Sequence, residues 1–186
     1  MSNEYKDWER DKIAEENEIV ARYPFLRVRD IDGTIDTNAK FPLMGIEIPC
    51  GWHKLFFQMC EDIRIAIEKE GCRALNDFYF VQCKEKYNRL ICYTNGAESQ
   101  EVKDILAKYE QMAYYVCTQC GRPAMYETQG YIASFCEDCY IGLAGKQIAE
   151  RIEFSTEFVT VGISDKWRKR VVSFKDEWKR YCESLG

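Results

Sequence analysis

The sequence has a single histidine, His53, among 186 residues. That removes the side chain most often used for proton transfer near neutral pH and leaves acid–base work to carboxylates. The chain also contains no Walker phosphate loop, no GxGxxG fingerprint, no HExxH helix and no nucleophile elbow. Nothing therefore argues for nucleotide hydrolysis, hydride transfer or acyl transfer, and the expectation is that this is not an enzyme. Long apolar runs are missing too, since none approaches the roughly 18 residues of a membrane span. The N-terminal stretch MSNEYKDWERDKIAEE is charged and has no apolar segment of the secretory-signal kind. A reducing cytoplasm is the expected setting, with no membrane association. The ten cysteines then read as thiols and ligands rather than disulfides.

The chain is rich in apolar and aromatic residues, at 46% and 14%, which is ample for a core. Its strongest pattern lies in YYVCTQCGRPAMYETQGYIASFCEDCY, residues 114–140. Cys117 and Cys120 form one CxxC pair, Cys136 and Cys139 a second, with fifteen residues between them. This is the spacing of a four-cysteine zinc site. Two intervening residues let a tight turn aim both sulfurs at one point, and a hairpin brings the second pair over to complete a tetrahedron. Gly121 stands where such a turn needs positive φ, and Gly130 falls between two strand-like runs, AMYE and YIASF. A structural Zn2+ is the expected cofactor, because four protein sulfurs leave no open position for water or substrate. Four cysteines also suit an iron–sulfur cluster. The remaining thiols, Cys50, Cys60, Cys72, Cys83, Cys92 and Cys182, read mostly as small core residues. Cys50 and His53 have metal-like spacing but no further pair to complete a second site.

The other elements follow from periodicity. A charged helix spans 3–22, with a sparse apolar stripe of Tyr5, Trp8, Ile13, Ile19 and Val20, and Pro24 ends it. Residues 24–50 are irregular, and the aspartates of DIDGTID suit a turn better than a calcium loop, whose closing glutamate is absent. From Gly51 to Glu70, Trp52, Leu55, Phe56, Met59, Cys60, Ile63, Ala66 and Ile67 recur at helical spacing, and Gly71 is placed to stop the helix. DFYFVQCKEK and RLICYTN form a hairpin around Tyr87-Asn88, and a second amphipathic helix covers 98–113. The expected fold class is α+β: a helix–hairpin–helix unit, an appended four-cysteine ribbon and a C-terminal amphipathic helix. The corresponding segments are 1–49, a charged helix and arm; 50–113, the α+β core; 114–150, the ribbon, with a short helix near 141–152; and 151–186, a strand (EFVTVGI) and a last helix capped by Ser164.

That last helix carries Lys166, Arg168, Lys169 and Arg170 beside aromatics, a candidate binding surface that could meet phosphate backbones. Interspersed acids favour an ordinary solvated face. The whole chain has a formal charge of −5, and four thiolates with one Zn2+ would make it more negative by two. This is the wrong sign for a general nucleic-acid field, and it tilts the expectation toward a protein partner.

Several segments together carry a resemblance: YPFLRVRD (23–30), the GW at 51–52 with its helix, VQCKEKYNRLICYTNG (81–96), KYEQMAYYVCTQCGRPA (108–124) and GYIASFCEDC (130–139). The combination resembles small zinc-ribbon proteins of Firmicutes phages and prophages over about residues 22–140. Some small proteins of that mobile-element setting are anti-CRISPRs that inhibit the nuclease Cas9 by binding it. The resemblance implies a protein partner, Cas9 or its guide RNA complex, met in the bacterial host cytoplasm. The other reading is a nucleic-acid-binding zinc-ribbon accessory factor of phage replication or transcription.

Overall fold

The computed structural model describes residues 3–70, 78–96, 99–128, 132–144 and 152–153. Among them are four α-helices and six short strands, so the chain is mixed α+β. The helices are α1 (Asn3–Arg22), α2 (His53–Glu70), α3 (Gln100–Ala113) and α4 (Glu137–Ala144). The strands are β1 (Ile46–Glu47), β2 (Tyr79–Lys86), β3 (Arg89–Asn95), β4 (Tyr126–Glu127), β5 (Ser134–Phe135) and β6 (Ile152–Glu153). No helix of the described residues is long and apolar enough to cross a membrane. Gly71, Gly130, the strand expected over 157–163 and the basic helix expected beyond Ser164 lie outside the described residues.

These elements form two compact units, each drawn from separated stretches of sequence. The first joins the chain up to Glu47 with Met59–Lys84 and Cys92–Ile105; the second joins Ile48–Gln58, Glu85–Ile91 and everything from Leu106 onward.

In the first unit, α1 runs to Arg22 and gives way to a 3-10 turn over Pro24–Leu26, because proline cannot donate the next helical hydrogen bond. Residues 26–44 then double back: Val28 N–H donates to Pro42 O at 2.9 Å and Met44 N–H to Leu26 O at 3.0 Å. At its tip, Asp32 Oδ1 accepts the N–H and O–H of Thr34 at 2.9 and 2.7 Å, and Gly33 takes φ +85°, so DIDGTID is a turn. Glu16, on α1, is buried and accepts Leu43 N–H at 3.2 Å, a long-range role with no local signal. From Leu55 to Ile67, the apolar stripe of α2 is buried at every position expected of it. Phe25, Phe78 and Phe80 pack ring to ring, with centroids 5.5–5.8 Å apart.

The β2–β3 hairpin turns on Tyr87 (φ 51°) and Asn88 (φ 61°), the two left-handed residues that a type I′ turn requires. It gains a third strand in β1, which runs parallel to β2 with Ile46 opposite Cys83 and Glu47 opposite Lys84. Burial along β2 changes phase: Phe78 and Phe80 point inward, Val81 and Gln82 are both more exposed, and Cys83 is inward again.

Glu61 of α2 collects hydrogen-bond donors. Arg64 Nη2 donates to it at 2.7 Å, Arg22 Nη2 at 3.1 Å and Tyr23 O–H at 3.2 Å. The Arg64 hydrogen bonds, followed by those of Arg22 and Tyr23, hold its carboxyl at about 2, well below the usual range. A carboxyl depressed on folding stabilises above its unfolded pKa, and that contribution is lost as pH falls through the folded value. Glu61→Gln should therefore lower the melting temperature by a few degrees at pH 7, for a loss of roughly 1 kcal/mol given the exposed Arg22. The gap to the native chain should close between pH 4.5 and 2, and a gap independent of pH would refute this role.

Of the expected stripe on α3, Val102, Tyr109 and Ala113 are buried, while Ile105 and Leu106 are only partly so. Ser99 Oγ caps it by accepting Val102 N–H at 3.2 Å. In the second unit, β4 is the centre of a three-stranded antiparallel sheet, with β5 and β6 on its two edges. The short helix expected near 141–152 instead begins at Glu137, and Ile152 lies in β6. Glu137 and Asp138 explain the earlier start: they sit in the first turn, where the helix dipole favours acids.

Candidate metal centre

Each cysteine pair is aimed by local backbone geometry. After Cys117 the chain makes a tight turn in which Gly121 N–H donates to Cys117 O at 3.0 Å and Cys117 N–H to Arg122 O at 2.8 Å. Gly121 takes φ +78°, as the turn demands. The second pair straddles a strand end and a helix start, with Cys136 just after β5 and Cys139 in the first turn of α4, where Tyr140 N–H donates to Cys136 O at 2.9 Å.

The four sulfurs of Cys117, Cys120, Cys136 and Cys139 all lie within 4.8 Å of one another, and Cys120 Sγ is 3.5 Å from Cys136 Sγ. Tetrahedral zinc with bonds of about 2.3 Å has sulfur–sulfur edges of about 3.8 Å. The cluster fits a metal ion of that size with little adjustment, and its donors are the thiolates that Zn2+ prefers. Cys117 and Cys136 are buried, Cys139 is partly exposed and Cys120 faces outward.

Arg122 tunes the outward ligand. Its Nε donates to Cys120 Sγ at 3.5 Å while its Nη1 pairs with Asp138 at 2.7 Å. Partial burial opposes ionisation of Cys120, but hydrogen bonds from Arg122 and the neighbouring thiols bring it down to about 6. Cys136 and Cys139 are pushed up, in each case first by loss of hydration. A bound dication would reverse that order and ionise the set. The guanidinium then offsets part of the −2 charge that four thiolates and one Zn2+ carry.

The two halves of the cluster are clasped by hydrogen bonds of their own. Thr118 N–H and O–H both donate to Ser134 O, at 2.9 and 3.1 Å. Ser134 Oγ donates to Tyr114 O at 2.6 Å and accepts Asn88 Nδ2–H at 2.5 Å, while Ser134 N–H donates to Asn88 Oδ1 at 3.2 Å. Asn88 and Ser134 are both fully buried. A turn residue of a distant hairpin is thus a structural member of the metal unit. Asn88→Ala strips two partners from buried Ser134 and replaces an asparagine, which tolerates the left-handed region, with an alanine, which tolerates it less, so a loss of about 2–4 kcal/mol is expected. Asn88→Gly, which relieves only the backbone strain, should recover a minor part of it in denaturant unfolding. Full recovery would remove the hydrogen bonds from the account.

The chain around Cys50 buttresses the first turn. Gly51 N–H donates to Thr118 O at 2.9 Å, Trp52 Nε1–H to Val116 O at 3.0 Å, and Cys50 Sγ to Gln119 O at 3.1 Å. Cys50 therefore engages a carbonyl between the ligands and is not one of the four clustered thiols. Of the candidate residues, the structure brings together all four zinc-pattern cysteines. Lys166, Arg168, Lys169 and Arg170 lie outside the described residues. The supports at Gly51, Trp52, Asn88 and Ser134 carry no metal-site pattern in the sequence. Their only sequence signals were a glycine before a tryptophan and a turn-forming asparagine.

Fold and site together define a mixed α+β protein with a four-cysteine cluster able to hold a metal ion. The chain matches no protein-family model, no curated protein and no solved structure.

Proposed function

We propose that this is a non-enzymatic binding protein whose shape is held by structural Zn2+ and, most concretely, an anti-CRISPR that binds Cas9 and blocks DNA binding or cleavage. The observation that carries the non-catalytic role of the metal is the set of four mutually close thiols. Four protein sulfurs fill the coordination shell, leaving zinc no position from which to activate water. The choice of Cas9 rests on the resemblance of residues 22–140. A rigid surface supports a binding role, because it loses little entropy on association. The metal unit also presents Tyr87, Met125 and Ile141 at 74, 54 and 63% exposure, apolar groups of the kind that anchor protein contacts.

A mobility-shift assay on labelled target DNA tests this, with guide-loaded Cas9, with this protein and with both. Loss of the Cas9–DNA band, or an intact band with cleavage blocked, is the expected result. A direct shift by this protein alone would favour the nucleic-acid reading, and unimpaired binding and cleavage would overturn the anti-CRISPR one.

A further inference from the structure

A second group of thiols lies in the first unit. The two-residue turn at Tyr87-Asn88 pairs Lys86 with Arg89. Counting back along both strands places Cys83 of β2 directly opposite Cys92 of β3. In an antiparallel pair, hydrogen-bonded and non-hydrogen-bonded positions alternate. With Lys86 and Arg89 hydrogen-bonded, Cys83 and Cys92 fall on a non-hydrogen-bonded position, where side chains approach most closely and Cα atoms stand about 4.5 Å apart. A disulfide spans Cα separations of roughly 4.4–6.8 Å.

The surroundings support the same pairing. The two thiols share a hydrogen bond, and Cys60 of α2 lies close enough to both to feel their charge. Cys60 and Cys83 are wholly buried, and Cys92 is partly exposed. The hydrogen bond with Cys92, together with burial, holds the Cys83 thiol protonated. Cys92 is thus the sulfur that a solvent-borne reagent meets first, with Cys83 behind it.

We propose that Cys83 and Cys92 form an oxidative modification site, a dithiol that closes to a cross-strand disulfide on reaction with a small-molecule disulfide of the glutathione type. The Cys92 thiolate attacks one sulfur of oxidised glutathione, forming a Cys92–glutathione bond and expelling one glutathione thiolate, which takes up the proton that Cys92 gave away. Cys83 then loses its proton and attacks the Cys92 sulfur, forming the Cys83–Cys92 bond and expelling the second glutathione as a thiol. Two cysteine thiols lose two electrons and one glutathione disulfide gains them.

The test uses the full chain carrying zinc, so that the metal ligands are masked as zinc thiolates. After incubation with oxidised glutathione, remaining thiols are blocked under denaturing conditions and the chain is cleaved with trypsin. Cleavage after Lys84 separates the two cysteines, so only a disulfide keeps their peptides together. The cross-linked peptide should account for most of the chain and disappear on treatment with dithiothreitol. In Cys92→Ser, buried Cys83 should stay a free thiol with no bound glutathione. Recovery of Cys83 and Cys92 as blocked thiols in the native chain would overturn the proposal. So would a reaction that stops at the Cys92–glutathione adduct, or disulfides that pair either residue with Cys60 or another cysteine.

Discussion

Replacing Cys117 or Cys136 by serine should abolish stoichiometric zinc and unfold the second unit. Both residues are buried, and their sulfurs lie within 4.8 Å of those of Cys120 and Cys139, so serine at either position leaves the cluster one sulfur short. Structural zinc contributes roughly 10–16 kcal/mol of apparent binding free energy at neutral pH. A whole domain is stable by only about 5–15 kcal/mol, so losing the metal exceeds what the remaining contacts can hold. Elemental analysis should fall from one zinc per chain to none, and the melting transition of the native chain should be lost. Chelator treatment of the native chain should reproduce both results. Cys50→Ser should keep its zinc, because Cys50 engages Gln119 O and lies outside the four ligands. A Cys117→Ser chain with native zinc content and melting temperature would end the structural-zinc account.

Gly51→Ala should strongly destabilise the first cysteine turn. A β-carbon there would stand 2.2 Å from Cys117 O, 2.7 Å from Gly121 N and 2.8 Å from the Thr118 carbonyl carbon. All three are backbone atoms of the first cysteine turn, so no side chain can swing aside. Relief requires moving the turn and, with it, Cys117 and Cys120. A cost of about 3 kcal/mol or more is expected, with weaker zinc retention. Gly142→Ala is the control, since its added β-carbon meets nothing within 4 Å and the residue lies in α4, where alanine gains up to about 1 kcal/mol over glycine. Denaturant unfolding of the two zinc-loaded variants separates the effects, and equal midpoints would remove Gly51 from the metal unit.

Much of the local structure was readable in advance because its causes are local. Helical spacing of Leu55, Phe56, Met59, Cys60, Ile63, Ala66 and Ile67 reports one face of α2, and that face is buried. Tyr87-Asn88 between two β-rich runs announces a turn, and both residues take positive φ. The two CxxC pairs announce a cluster because the spacing itself brings the sulfurs together. What could not be read depends on partners far away in the chain. Glu16 looks like one more surface acid of a charged helix until Leu43 N–H is brought to it. The run MGIEI carries no sign that Ile46 will lie opposite Cys83 in a parallel pair. The helix expected near 141–152 starts earlier, at Glu137, because the acids beside the second CxxC form its first turn.

The sequence by itself therefore determined the four clustered cysteines, the α2 core face and the hairpin turn, because spacing and backbone preference act over a few residues. The tertiary structure alone decided what holds those cysteines in place. Gly51 and Trp52 reach the first cysteine turn from more than sixty residues away in the chain, and Asn88 reaches Ser134 across forty-six. Those contacts exist because buried carbonyl and hydroxyl groups must find partners once the chain is compact, and sequence distance places no limit on where a partner comes from.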